Sequence, residues 1–296
     1  MNTQLKCWIE AMRLRTLPVS VAGVLTGVAL ALADGYFAPV PALLCLIFAI
    51  LAQIASNFAN EYYDFKGGLD KPGREGPRRG VTEGDISPKA MALATYGTLG
   101  AACVVGLCLV AYGGWWLIIA GIIIAIGAIC YSTGPYPLSH HALGEATVVV
   151  FFGLVPVCLT YWLQTYTLDS HVALAAASMG LLGANVLIVN NVRDRNADKA
   201  VGKITLAVKL GRNFSLLLYL VNGWVAMALM LPAWLDLGGV WWIVPVACCI
   251  DIFLLWCRIA RKHGREMNPM LGRTSMVMFI VSLCLLLGAL VNLIGA

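Results

Sequence analysis

Apolar residues run along this chain in long, nearly unbroken blocks separated by short polar stretches. Nine blocks, at 17–34, 39–62, 89–112, 115–131, 143–165, 171–191, 214–235, 240–257 and 274–295, approach the roughly 20 residues that a helix needs to cross a bilayer. Runs such as Trp116 to Ile129 lack the two-residue alternation of a membrane β-strand, so helices are predicted. The pattern predicts an all-α membrane protein: one transmembrane domain over 1–296, nine transmembrane helices and very short loops. Composition points the same way. Apolar residues make up 60% of the chain and charged ones 12%, against about 25% charged in soluble domains. A water-soluble globule of this length could not hide that much apolar surface.

Charge then sets orientation. The 20 Lys and Arg fall in four places: the N-terminus (Lys6, Arg13, Arg15), 66–89, 193–212 and 258–273. With nine spans all four lie on one side, which the positive-inside rule makes cytoplasmic, with the N-terminus inside and the C-terminus outside. The net charge of +5 is therefore a one-sided basic face. No stacking platform or recognition fold accompanies it, so nucleic acid is not an expected partner. The first 16 residues, with Trp8, Ile9, Met12 and Leu14, read as an amphipathic segment at the membrane interface and not as a cleavable signal. The ten cysteines lack paired metal spacing and mostly sit inside apolar blocks, so they read as packing residues, with neither zinc nor disulfides.

Two polar clusters interrupt the blocks. The first is Asn57, Asn60, Glu61, Asp64 and Asp70, at the end of block two; the second is Asn190, Asn191, Asp194 and Asp198, at the end of block six. Acids beside apolar spans are costly and are functional suspects by default. Asn60 and Asp64 are spaced i, i+4 and share a helix face; Asn190, Asp194 and Asp198 form a stripe if the helix continues. Gly67 and Gly68 allow a turn that returns Asp70 toward Asp64. The clusters lie 130 residues apart (60 to 190), each closing the second helix of a group of four, as in a duplicated four-helix unit. Cations follow each: Lys66, Lys71, Arg74, Arg78 and Arg79, then Arg193, Arg195, Lys199, Lys203, Lys209 and Arg212. Carboxylates beside cations suit a metal-bound polyphosphate: Mg2+ takes one or two carboxylates plus phosphate oxygens, and Arg and Lys take the remaining phosphate charge. The bland alternative is a pair of solvated helix ends.

At these residues the sequence resembles the UbiA superfamily of intramembrane aromatic prenyltransferases, and within it the 1,4-dihydroxy-2-naphthoate polyprenyltransferase branch (MenA type). The carrying segments are RTLPVSVAGVLTGVALA (15–31), SNFANEYYDFKGGLDKPGREGPRRG (56–80), YSTGPYPLSHHALGE (131–145), NNVRDRNADKAVGKITLAVKLG (190–211) and REMNPML (265–271). The general pattern NxxxDxxxD is lengthened here, with Asp70 six residues after Asp64, as in the naphthoate branch. Glu61 stands where that branch usually has Asp, and Leu14 where Pro is usual. The loop 131–145 has no Lys or Arg, which argues against hydroxybenzoate as acceptor.

The resemblance implies nine helices and transfer of a polyprenyl group from polyprenyl diphosphate to 1,4-dihydroxy-2-naphthoate, with loss of CO2, in menaquinone synthesis. It implies Mg2+ as cofactor, held by Asn60, Asp64, Asp70, Asp194 and Asp198. Asn190, Arg193, Lys203, Arg78 and Arg79 are then candidate substrate contacts, the cations on the phosphates. Arg13 and Arg15 either hold the acceptor carboxylate or anchor the helix at the membrane. Tyr131 and Tyr136 line the acceptor pocket or belong to an interfacial aromatic belt. Glu145 is a base toward a naphthol hydroxyl or an acid suited to a helix N-terminus. The rivals are a related prenyltransferase with another aromatic acceptor and, from another class, a secondary transporter. A transporter would place polar groups near midplane in interrupted helices.

Overall fold

The computed structural model describes residues 3–70 and 75–295, so Lys71 and Arg74 of the first basic cluster lie outside the described residues. Ten helices follow one another: α1 (Thr3–Met12), α2 (Leu17–Ala33), α3 (Pro39–Lys66), α4 (Pro88–Gly113), α5 (Trp116–Cys130), α6 (Gly144–Thr165), α7 (Ser170–Ala200), α8 (Leu206–Leu237), α9 (Ile243–Ala260) and α10 (Asn268–Gly295). Among the described residues there is no strand beyond one isolated bridge between His141 and Ile204.

Each apolar block appears as a helix, but not every helix has spanning length. Seven, α3, α4 and α6 to α10, are long and apolar enough to cross a membrane, which makes this a multi-pass membrane protein. The bent pair of α1 and α2 is an eighth if counted as one span. The bend of 48° follows Arg13, whose φ of 55° lies in the left-handed region that a non-glycine residue seldom adopts. α5 has only 15 residues, because the chain leaves the helix at Tyr131.

Helix ends follow local chemistry. α3 and α7 run past their apolar blocks to Lys66 and Ala200, so both polar clusters sit on regular helix. α3 stops at Gly67 and Gly68, the latter at φ 67°. Pro88 opens α4, and Ser87 Oγ accepts from the Ala90 amide at 3.2 Å. Thr205 Oγ1 accepts from the Val208 amide, and Gly211 at φ 85° breaks α8 before its apolar run.

α7 is the central helix: 72% of its most apolar window is buried, against 17% for α4 at the rim. It packs against α6 through two glycines. A Cβ on Gly153 would stand 2.4 Å from the Gly180 backbone, so the helices could not approach this closely with larger residues. Gly153 lies in a π turn, Val149–Leu154, which inserts an extra residue into α6. On the rim, Ile119, Ile122, Ile123 and Ile126 of α5 point outward, as a lipid-facing surface requires.

Candidate active site

A single cavity of about 710 Å3 joins the two polar clusters. Asn60, Asp64 and Asp70 line it from α3 and the turn after it; Asn190, Arg193, Asp194 and Asp198 line it from α7. Below them its walls are apolar, with Phe48, Leu109, Leu117, Ile124 and Phe151 among them.

The first cluster is wired through Asn60. Its side-chain oxygen accepts from the guanidinium of Arg13 and from Arg79 Nη2 at 2.8 Å. Its amide donates to Asp64 Oδ2 at 3.0 Å and to Ser132 Oγ at 3.3 Å. The glycine turn brings Asp70 back as its spacing allows: the Leu69 amide donates to the Asp64 carbonyl at 2.9 Å. Arg79, buried, reaches in among three acids: Asp70 at 3.2 Å, Asp64 at 3.7 Å and Glu61 at 3.8 Å. Glu61 also lines the cavity and accepts from the Val81 amide at 3.1 Å, fixing the loop that presents Arg79. Arg78, half exposed, pairs with Asp85 at 2.6 Å.

The second cluster is clasped by a neighbour. Arg193 grips Asp194 with Nε at 2.8 Å and Nη2 at 2.7 Å. Nη2 also donates to Asn190 at 2.7 Å, and Nη1 to Asn268 at 3.0 Å. Lys203 stands 3.8 Å from Asp198. The loops after α5 and α7 pair here, with the Ala142 amide donating to the Ile204 carbonyl at 2.7 Å. His140 lies in that pairing. Burial, then the nearby Lys203 ammonium, pushes its imidazole below its ordinary value.

The side wall holds the remaining polar groups. Glu145 is buried; its Oε1 accepts from Asn191 Nδ2 at 2.9 Å, while Oε2 has no hydrogen-bond partner among the described residues. Tyr131, half-buried, lies within electrostatic reach of Glu145, Arg13, Asp64 and Asp198, so it faces both clusters. Arg15, Arg78, Arg79 and Lys203 also line the cavity. Tyr136 does not: it is exposed, and its ring stacks on His141 with centroids 3.6 Å apart. The sequence named Asn191 only as a member of the second cluster and passed over Ser132, Glu75 and Asn268. Each acts through a partner distant in sequence, a relation that leaves no periodic signal.

Among the described residues no three His, Cys, Asp or Glu side chains form a group that could hold a metal. A Mg2+ ion needs only one or two protein carboxylates where phosphate oxygens complete its shell. Asp64 suits that: its Oδ1 is buried and has no hydrogen-bond partner among the described residues. All ten cysteines are free.

The model of the UbiA prenyltransferase family matches residues 20–283. The chain belongs to the UbiA prenyltransferase family. Among relatives of this UbiA protein, the 1,4-dihydroxy-2-naphthoate octaprenyltransferase of Escherichia coli (strain K12) is 38% identical, over 96% of this chain and 94% of that protein. The enzyme of the same name from Haemophilus influenzae is 34% identical over 98% of both. In fold, the UbiA protein resembles a UbiA homolog from Aeropyrum pernix K1, with a TM-score of 0.71 at 16% identity over 94% and 98% of the two chains.

Proposed function

We propose that this UbiA protein transfers a polyprenyl group from polyprenyl diphosphate to 1,4-dihydroxy-2-naphthoate, releasing CO2 and diphosphate and giving demethylmenaquinol for menaquinone synthesis. Its relatives along the whole chain carry that activity in their names. The observation that carries the reading is structural: three aspartates from two helices, 130 residues apart (64 to 194), and a fourth from the turn after the first helix line one cavity beside Arg79, Arg193 and Lys203.

Asp64, Asp70, Asp194 and Asp198, with Asn60, are the residues that would hold Mg2+, which when bound neutralises charge on the leaving diphosphate. Arg78, Arg79 and Lys203 take the rest of that charge. Arg193 has less to offer a phosphate, because four of its hydrogen bonds are already committed to Asp194, Asn190 and Asn268. Its role in this reading is to hold Asp194 and Asn190 in place. The apolar walls take the start of the prenyl tail and keep bulk water from the allylic cation that forms as diphosphate leaves. The acceptor ring lies toward Tyr131 and Glu145, where Glu145 Oε2, without a hydrogen-bond partner among the described residues, accepts the naphthol proton. Arg13 and Arg15, at the same mouth, face the acceptor carboxylate.

The reading places nine crossings in a bacterial inner membrane, with α2 and α5 as the two short ones. The N-terminus and the cavity mouth face the cytoplasm. α2–α5 and α6–α9 form a duplicated four-helix unit, a reading supported by the equivalent Asn–Asp turns at the ends of α3 and α7.

The test is to incubate purified protein with Mg2+, a polyprenyl diphosphate and a panel of aromatic acids, and to weigh the products. The expected product is prenylated naphthalenediol lacking the carboxylate. Prenylation of a different acid alone would overturn the acceptor assignment. Solute flux in liposomes without diphosphate release would overturn the enzyme reading.

A further inference from the structure

The loop after α3 is bonded to the start of α10, and α10 in turn to α7. Glu75 Oε2 accepts from the Arg265 amide at 3.0 Å. The Glu75 carboxylate also packs against Gly264, where a Cβ would stand 2.5 Å from it and where φ is 51°. The Glu75 carbonyl accepts from Asn268 Nδ2 at 3.2 Å. The other end of the same amide, Asn268 Oδ1, accepts from Arg193 Nη1 at 3.0 Å. One asparagine thus touches both the segment that leads to Arg78 and Arg79 and the arginine that grips Asp194. Neither Glu75 nor Asn268 is among the residues that line the cavity.

We infer that Asn268 is a positioning residue that ties the arginine-bearing loop after α3 to Arg193, so that the cations of the first cluster and the carboxylates of the second are held in one fixed relation. The geometry needs both ends of the amide. An asparagine donates with its NH2 and accepts with its oxygen, whereas an ionised carboxylate only accepts. Asn268→Asp therefore keeps the oxygen facing Arg193 and loses the donor facing Glu75; Asn268→Ala loses both. Without Asn268, the Arg193 guanidinium loses one of the acceptors that fix its plane, and the bidentate grip on Asp194 depends on that plane. Glu75→Ala removes the carboxylate that accepts from the Arg265 amide and keeps the backbone carbonyl that accepts from Asn268 Nδ2, so it loosens the loop's link to the start of α10 and leaves Asn268 and Arg193 untouched.

The inference rests on the cavity's taking a prenyl diphosphate, and the experiment separates the two. Prenyl transfer and hydrogen–deuterium exchange over residues 75–86 are measured on wild type and the three variants. Asn268→Ala should raise KM for prenyl diphosphate by about tenfold, the loss of one hydrogen bond to a charged group, and leave KM for the acceptor within about twofold. Asn268→Asp should keep KM for prenyl diphosphate within about threefold of wild type. All three variants should exchange faster over 75–86. Wild-type KM and wild-type exchange in Asn268→Ala would overturn the inference and leave the functional reading standing. So would a uniform loss of folded protein with unchanged KM in what remains. Wild-type protein that transfers no prenyl group would instead overturn the functional reading.

Discussion

The two aspartate clusters have nearly the same composition and opposite wiring. On α3, the compensating cation arrives from elsewhere: Arg79 reaches in from a loop and spreads its charge over Glu61, Asp64 and Asp70 at 3.2–3.8 Å. On α7 it is the adjacent residue: Arg193 binds Asp194 face to face at 2.7–2.8 Å and is itself held by Asn190 and Asn268. A diffuse ion pair tolerates rearrangement when a phosphate enters, because no single contact has demanding geometry. A bidentate clasp does not. Under the proposed function, the first cluster adjusts to the diphosphate while the second supplies a rigid reference.

The largest effects come from removing the carboxylates themselves. Asp64→Ala and Asp194→Ala should each lower the rate of prenyl transfer by at least about 100-fold, measured by product mass with Mg2+ present, because each removes charge that stabilises the leaving group. Next, Glu145→Gln keeps the oxygen that accepts from Asn191 and removes the base; it should lower kcat by about 100-fold with little change in KM for prenyl diphosphate. The comparison itself is sharpened by two equal substitutions. Arg193→Lys loses the two-pronged grip and should raise KM for prenyl diphosphate about tenfold, whereas Arg79→Lys keeps a point charge among three acids and should raise it about threefold. The smallest expected effect on chemistry is at Gly153. Gly153→Ala forces α6 off α7 and should cost about 1–3 kcal/mol of stability, read as a fall in Tm.

Much of this was legible in the sequence, for reasons that can be located. The apolar blocks are long, so every helix from α2 to α10 could be placed. The i, i+4 spacing of Asn60 with Asp64 and of Asn190 with Asp194 put each pair on one face of a helix, and the helices do continue through them. Gly67 and Gly68 marked the turn that returns Asp70. What failed to show lies in loops and across helices. Tyr131 and Tyr136 are five residues apart in a segment with no period, and nothing there distinguishes the one that faces the cavity from the one that stacks on His141. The cations after α3 looked equivalent, yet Arg79 is buried among acids and Arg78 is half exposed and paired with Asp85. The blocks at 17–34 and 115–131 appear as α2 and α5 to within a residue at each end, and these two are the short helices, of 17 and 15 residues.

The central claim is that both clusters act on one diphosphate through one shared site. A double-mutant cycle tests it most directly: the Mg2+-dependent affinity for prenyl diphosphate of wild type, Asp64→Ala, Asp194→Ala and the double variant. Groups that hold the same ion and headgroup are strongly coupled, so the double variant should bind about as weakly as the weaker single one. Losses that simply add would mean that the two clusters work independently, and would contradict the account.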